Sequence, residues 1–171
     1  VHQCAKYTHS PMQSHAHAVK KICRYLRGTK DKGLCFSKRQ MRDNGFQVAC
    51  FVDASFAPMW GYAPTDDSKS AKSRTGYVIK IEDVPLAWAS KSQGETALST
   101  TEAEYIALST AMRELLWLGR LVVEISDRFG VSYDRVTKVK SKVFEDDQGA
   151  IAIAGKPNLT SRTRHLHTKY H

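Results

Sequence analysis

Three strand-like runs follow one another closely in the middle of the chain, and this succession restricts the possible folds strongly. The runs are FQVACFVDA (46–54), TGYVIKI (75–81) and VPLAWAS (84–90). They are rich in β-branched and aromatic residues, and only Glu82 and Asp83 separate the last two. Consecutive strands with a short connection pair antiparallel. The sequence therefore predicts a three-stranded antiparallel meander.

The chain after the meander alternates helix and strand. Apolar residues recur at helical spacing from Thr101 to about Asp127, which predicts a long helix. The run VTKVKSKVFED (136–146) predicts a fourth strand, and QGAIAIAG (148–155) predicts a short helix. Because a helical crossover leads into the fourth strand, we expect that strand to lie parallel to the first. The predicted fold class is α/β, with a mixed sheet made of the meander and a parallel fourth strand.

Two segments outside these elements complete the predicted organisation. Apolar and basic residues alternate at helical spacing in SHAHAVKKICRYLR (14–27), which predicts an amphipathic helix. The polar stretch at 38–45 separates this helix from the strands, so we expect an appendage at 1–44 and the main domain at 45–171. Residues 55–74 contain two prolines and a charged end, which predicts a long loop without regular structure.

The charge balance points to a polyanionic partner. Lys and Arg exceed Asp and Glu by 26 to 17, which gives a net charge of +9. Charge alone leaves open the alternative of a soluble protein that is basic for no functional reason. The residues expected to contact nucleic acid are Lys20, Arg24, Arg27, Lys69, Lys72, Arg74, Lys91, Arg162 and Arg164.

Several protein classes are disfavoured by the composition. No apolar run reaches the length of a membrane span, and the start of the chain lacks the charged and apolar regions of a secretory signal. The four cysteines lie far apart without a CxxC pair, which argues against a zinc ribbon and a disulfide framework. We therefore expect a soluble intracellular protein with reduced thiols, cut from a longer reading frame and making no membrane contact.

Three acidic residues lie where predicted strands end or the long helix begins. Asp53 ends the first strand, Asp146 ends the fourth, and Glu104 lies in the first turn of the helix. If the two strands are parallel neighbours, Asp53 and Asp146 emerge at the carboxyl edge of the sheet, where ligands bind in α/β proteins. Glu104 lies on the helix face that carries small residues, whereas Glu102 points elsewhere. We expect Glu104 to point toward the sheet.

Each acid alone also has a structural explanation. Asp53 and Asp146 can simply end strands, and Glu104 with Thr101 fits a capping box. Three acids that converge on one edge, however, repel one another unless a cation lies between them, and oxygen ligands suit Mg²⁺ or Mn²⁺. Two such ions about 3.5–4 Å apart can activate water and stabilise the leaving oxygen of a phosphodiester. The acids together predict a divalent-cation site of a kind that can support phosphodiester chemistry.

Several segments resemble the ribonuclease H domain of copia-type LTR retrotransposon polyproteins. They are FVDASFA (51–57), SRTGYV (73–78), LAWASKSQGETALSTTEAEYIALSTAMRELLWL (86–118) and FEDDQGAIAIA (144–154). RHLHTKYH (164–171) resembles the stretch that follows this domain, and SHAHAVKKICRYLRGTKDKGL (14–34) resembles the end of the family's reverse transcriptase. The similarity covers nearly the whole chain in family order.

The resemblance implies a function and a site. It implies that Asp53, Glu104 and Asp146 are the catalytic residues and hold Mg²⁺ or Mn²⁺ in a two-metal site. The implied reaction is hydrolysis of the RNA strand of an RNA–DNA hybrid, with the reverse transcriptase domain of the same polyprotein as a partner. The implied location is a cytoplasmic particle or the nucleus. The order Asp, Glu, Asp argues against related integrases, which place their glutamate last.

The sequence also departs from the family pattern. The family has a fourth acid on a further helix after a fifth strand, and the 25 residues after Asp146 do not supply these elements. Ser55 replaces an acid that is common in the family. We therefore expect a C-terminally truncated domain with weak or no activity. A non-catalytic nucleic-acid-binding remnant of a decayed transposon copy stays open as an alternative, as does a host protein that uses the fold for interactions.

Overall fold

The computed structural model describes residues 1, 4–5, 7–36, 46–59, 61, 68–130 and 139–155, which fall into two compact units. The first unit, Val1–Ser37, contains helix α1 (Gln13–Gly28), one residue longer at each end than predicted. No residue of α1 is buried, and Val19 and Leu26 of its apolar stripe are 46% and 59% exposed. The segment 38–45, where the sequence predicts a domain boundary, lies outside the described residues.

The second unit, Lys38–His171, contains a four-stranded mixed sheet. Its strands are β1 (Gln47–Ser55), β2 (Arg74–Ile81), β3 (Val84–Ser92) and β4 (Lys140–Phe144). The order across the sheet is β3-β2-β1-β4. β2 pairs antiparallel with β1 and β3, and β4 pairs parallel with β1. The predicted mixed sheet, with its meander and parallel fourth strand, is confirmed.

Alternation along β1 decides which face of the sheet is covered. Val48, Cys50 and Val52 are buried, because they contact the long helix α2 (Thr100–Arg128) in the main core. Fully burying such a side chain stabilises the fold by about 1.5–3 kcal/mol. The residues between them in β1 point to the opposite face, since successive strand side chains alternate. That face carries Asp53, which is exposed.

The long helix begins one residue earlier than predicted, and this changes its cap. Ser99 is the N-cap residue, and its hydroxyl accepts a hydrogen bond from the Glu102 backbone N–H at 3.1 Å. The Glu102 carboxylate accepts a hydrogen bond from the Leu98 N–H at 2.7 Å. The alternative explanation of Thr101 and Glu104 as a capping box therefore does not apply, because a helix that starts at Thr100 takes its cap from the residue before it.

Two further boundaries differ from the predictions. β4 ends at Phe144, two residues before the predicted end at 146, and Asp147 is the N-cap of helix α3 (Gln148–Ala154). Within the predicted loop at 55–74, a 3₁₀ turn covers Ser68–Ala71. Residues 136–138 and most of 60–67 lie outside the described part of the chain. Among the helices that the structure describes, none combines the length and hydropathy that a bilayer crossing requires.

Candidate metal centre

The pairing of β1 with β4 brings two of the predicted acids together. Phe51 lies opposite Phe144 in the parallel register, and their rings stack with centroids 4.8 Å apart. Two residues further along each chain, the same register leads to Asp53 and Asp146. The carboxyl edge of the sheet therefore carries both acids, as predicted from the parallel placement of the strands.

Helix α2 brings the third acid to this edge. Asp53, Glu104 and Asp146 each offer a carboxylate oxygen, and these atoms all lie within 4.8 Å of one another. Asp53 and Asp146 are exposed, whereas Glu104 is half-buried. Glu102 is not part of this acidic triad, because its carboxylate binds the backbone before the helix. The geometric expectation that Glu104 rather than Glu102 joins the two aspartates is met.

The surroundings of Glu104 disfavour its charged form. Burial raises the pKa of Glu104 from 4.5 to about 7, and the charges of Glu145, Asp53 and Asp146 add to this increase. A hydrogen bond from the backbone of Ala54 acts in the opposite direction. Oε2 of Glu104 is buried without a hydrogen-bond partner among the described residues. Such an oxygen is stabilised by a proton or by a cation.

The donor set of the triad fits a hard divalent cation. All three side chains offer oxygen atoms, which Mg²⁺ and Mn²⁺ prefer to the nitrogen and sulfur ligands of softer metals. The buried Oε2 of Glu104 accepts no hydrogen bond from any described group, so it is free to bind a cation. The acidic triad can therefore hold a metal ion.

A fourth acid close to the triad was missed by the sequence analysis. Burial raises the pKa of Glu145, whose Oε1 accepts a hydrogen bond from the Asp147 N–H at 3.2 Å while Oε2 is buried and unpartnered within the described ranges. Val143 of β4 packs against the core. Continuing the alternation by two residues places Glu145 on the side of α2, so the strand pattern contained a signal for this position.

The basic residues predicted to bind nucleic acid are distributed over both units. Arg74 pairs with Ser55 in β1, two residues beyond Asp53 and on the same face of the sheet. Its guanidinium donates a hydrogen bond to the Ser90 carbonyl at 3.2 Å. The Lys72 ammonium donates to the Gly94 carbonyl at 2.7 Å.

The other predicted basic contacts do not share this position. Lys91 is exposed on β3, and the three basic residues of α1 are exposed in the first unit: Lys20, Arg24 and Arg27. The side chain of Lys69 and the residues Arg162 and Arg164 lie outside the described residues. Of the predicted set in the described part of the chain, Arg74 is the residue that the sheet register places near Asp53.

An apolar groove adjoins the acidic triad. It has a volume of about 1020 Å³ and is lined by α2, β4 and α3, with Glu145 and Asp146 at its polar part. β4 is an edge strand of the sheet among the described residues. Apolar surface thus lies beside this edge strand in the part of the chain that the structure describes.

Comparison with known proteins places the chain among retrotransposon polyproteins. No protein-family model matches it. The chain is 33% identical over 167 residues, 98% of its length, to the retrovirus-related Pol polyprotein from transposon TNT 1-94 of Nicotiana tabacum. It is 30% identical over 171 residues to the Pol polyprotein from transposon RE2 of Arabidopsis thaliana. It spans about a tenth of these relatives, namely 11% and 10% of their lengths.

A shorter relative is also similar. Secreted RxLR effector protein 161 of Plasmopara viticola is 34% identical over 117 residues, which are 67% of this chain and 72% of that protein. The two transposon matches run along nearly the full chain, in agreement with the segments that resemble copia-type polyproteins. The chain therefore belongs to the retrovirus-related Pol polyprotein family of copia-type retrotransposons.

Proposed function

We propose that the second unit is a metal-dependent ribonuclease H that hydrolyses the RNA strand of an RNA–DNA hybrid. The observation that carries the proposal is the convergence of three carboxylates within 4.8 Å, supplied by β1, α2 and the segment after β4. Membership in a retrotransposon polyprotein family supports it, because the segments around all three acids resemble the ribonuclease H domain of such polyproteins.

The three acids have different roles in this proposal, because they differ in solvent exposure. Asp53, Glu104 and Asp146 would hold Mg²⁺ or Mn²⁺, in the two-metal arrangement that the family resemblance implies. Ions bound there would supply the activation of a water molecule and the stabilisation of the leaving oxygen, a reaction that would leave a 5′-phosphate and a 3′-hydroxyl. The exposed Asp53 and Asp146 are accessible to a phosphodiester, whereas the half-buried Glu104 closes the site from the side of the core.

Basic and polar groups around the triad would bind the hybrid. Arg74 lies on the same sheet face as Asp53 and can reach a backbone phosphate by exchanging its hydrogen bond to Ser90. Contacts to 2′-hydroxyl groups would distinguish the RNA strand from the DNA strand. The partner in this proposal is the reverse transcriptase domain of the same polyprotein, within an intracellular particle or the nucleus.

Cleavage assays test the proposal directly. A hybrid with a labelled RNA strand is incubated with the chain in Mg²⁺ or Mn²⁺, beside single-stranded RNA and duplex DNA. We expect weak cleavage confined to the RNA strand of the hybrid, and its loss in Asp53→Asn and Asp146→Asn. Glu102→Gln is the matched control, because this acid lies on the same helix but outside the triad.

Two results would count against the enzyme. Equal cleavage by the unaltered chain and by Asp53→Asn would mean that the activity does not come from the triad. Salt-dependent binding of the hybrid without any metal-dependent cleavage would favour the alternative of a non-catalytic nucleic-acid-binding remnant.

A further inference from the structure

We infer that Gln93 is a positioning residue that holds Glu104 in place against Asp53, an inference that rests on the proposed function of the triad. Gln93 follows β3 directly and is 5% exposed. Its backbone N–H donates a hydrogen bond to the Ser73 carbonyl at 2.8 Å, which extends the pairing of β3 with β2 by one residue. The side chain is therefore fixed at its base and points into the core.

The amide of Gln93 connects α2, which carries Glu104, to β2, the strand that pairs with the Asp53 strand β1. Nε2 donates one hydrogen bond to Thr75 Oγ1 at 3.1 Å and another to the Ala103 carbonyl at 2.9 Å. Thr75 pairs with Ala54, the residue after Asp53. Ala103 is the residue before Glu104. One buried side chain thus joins the residue before Glu104 to the strand that pairs with β1 beside Asp53.

The chemistry of the amide makes this connection specific. Both N–H groups of Nε2 are used, whereas Oε1 is buried without a hydrogen-bond partner among the described residues. The unpartnered Oε1 has a desolvation cost, which the two hydrogen bonds from Nε2 must offset. Gln93 therefore contributes through its two donors, which cross from the sheet to the first turns of α2.

Fixing Glu104 in this way matters because its neighbours repel it. The charges of Asp53, Asp146 and Glu145 all oppose the charged form of Glu104. Without a cation, the repulsion favours an outward movement of the start of α2. The hydrogen bond to Ala103 resists that movement, so the ligand atoms are held together before a cation arrives. Groups that orient metal ligands in this way typically change metal affinity by about 10–100-fold when they are removed.

Metal binding by the full chain tests the inference without relying on activity. Mn²⁺ affinity is measured by electron paramagnetic resonance of the free ion for the unaltered chain and for Gln93→Met, which keeps the length of the side chain and removes both donors. We expect about tenfold weaker binding for Gln93→Met. Thr75→Val removes one of the two acceptors and should give a smaller loss. It also serves as the second variant if Gln93→Met fails to fold.

A matched control separates positioning from general stability. Ser126 is also 5% exposed and lies in α2, where its hydroxyl donates to the Val122 carbonyl at 2.8 Å, far along the helix from Glu104. Ser126→Ala should lower the melting temperature without changing Mn²⁺ affinity. Equal Mn²⁺ affinity in Gln93→Met and the unaltered chain would overturn the inference and leave the proposed function standing. Absence of Mn²⁺ binding by the unaltered chain would overturn both.

Discussion

Glu104 is the triad residue whose negative charge is most disfavoured by its surroundings, because it is both partly buried and close to other acids. Its carboxylate is half-buried, has an unpartnered oxygen within the described part of the chain, and faces three other acids. Desolvation is the largest cause of its raised pKa. Without a metal ion, a proton on Glu104 removes the unfavourable buried charge. When the carboxylate is charged, a bound cation compensates that charge. The same side chain should therefore control both stability and metal binding.

Replacing Glu104 by Gln should stabilise the metal-free protein at high pH. The pKa is raised from 4.5 to about 7, so the folded state keeps a proton that the unfolded state has lost, and stability falls as pH rises through this window. Gln resembles the protonated carboxyl. After allowance for solvent screening, we expect Glu104→Gln to raise the free energy of unfolding by on the order of 1 kcal/mol at pH 8, and by much less at pH 4.

Urea unfolding in the presence of a chelator measures this difference. Glu102→Gln is the control, because it weakens a hydrogen bond at the start of the same helix and should give no such gain. If Glu104→Gln were equally stabilising at both pH values, or destabilising at pH 8, the account of Glu104 as a desolvated carboxyl would be wrong.

Metal affinity should rise with pH at this site. A cation must displace the proton of Glu104, whose pKa is about 7. Between pH 6 and pH 8, we expect the Mn²⁺ affinity to increase by about tenfold, as expected for competition with one proton. Isothermal titration calorimetry in buffers of different ionisation enthalpy would show one proton released at the lower pH. A flat affinity profile would contradict the role of Glu104 as a ligand.

At the scale of elements, the start of α2 is held from two sides. Gln93 connects it to β2, and the Thr101 hydroxyl lies 3.4 Å from Asp147 Oδ2 at the start of α3. Gly149 of α3 approaches Thr101 so closely that a Cβ atom there would lie 2.8 Å from Thr101 Cγ2. The short helix thus packs against the long one at the point where the triad forms, and glycine makes this approach possible.

Substituting Ala at two glycines should have opposite effects. Gly149→Ala should destabilise the fold by about 1–3 kcal/mol, because the added methyl group overlaps with Thr101. Gly119→Ala, in the interior of α2, should stabilise it by about 0.5–1 kcal/mol, because among the described residues the new Cβ meets Val139 Cγ1 alone, at an ordinary contact distance of 3.9 Å. Thermal unfolding of both variants measures the two signs. A Gly149→Ala variant as stable as Gly119→Ala would mean that the two helices are not closely packed.

At the scale of the whole molecule, the proposed chemistry and the proposed binding of the hybrid depend on different residues. The proposed chemistry depends on three acids in one place, whereas the net charge of +9 comes from many Lys and Arg residues along the sequence. Phosphate contacts add up over many basic side chains and release counterions, so they persist when one acid is changed.

Hybrid binding should therefore survive the loss of the site. We expect affinity for an RNA–DNA hybrid to fall by orders of magnitude between about 50 and 200 mM salt, and to be nearly the same for Asp53→Asn in the absence of metal. Fluorescence anisotropy over a salt series measures both effects. Arg74→Ala is the companion variant, expected to weaken binding and to reduce the salt slope by about one unit. Binding that does not depend on salt would remove the nucleic-acid proposal.

The sequence by itself determined the order of elements and the position of two acids. Periodicity is a local property, so the alternation in β1 and the helical spacing in α2 could be recognised without a structure. The helical crossover between β3 and β4 made the parallel placement of β4 beside β1 predictable. That placement brings Asp53 and Asp146 to the same edge of the sheet. The same local patterns distinguished Glu104 from Glu102, since 3.6 residues per turn place the two on different faces.

The tertiary structure decided the burial, the neighbours and the hydrogen bonds of these residues. The desolvation of Glu104, the approach of Glu145 and the bridge made by Gln93 depend on segments far apart in sequence, whose distances no local pattern contains. The N-cap of α2 is Ser99 because the helix begins at Thr100. Sequence patterns define such helix boundaries only to within a residue or two. Burial and close approach arise only when separate elements pack, and these two quantities govern the pKa and the geometry of the triad.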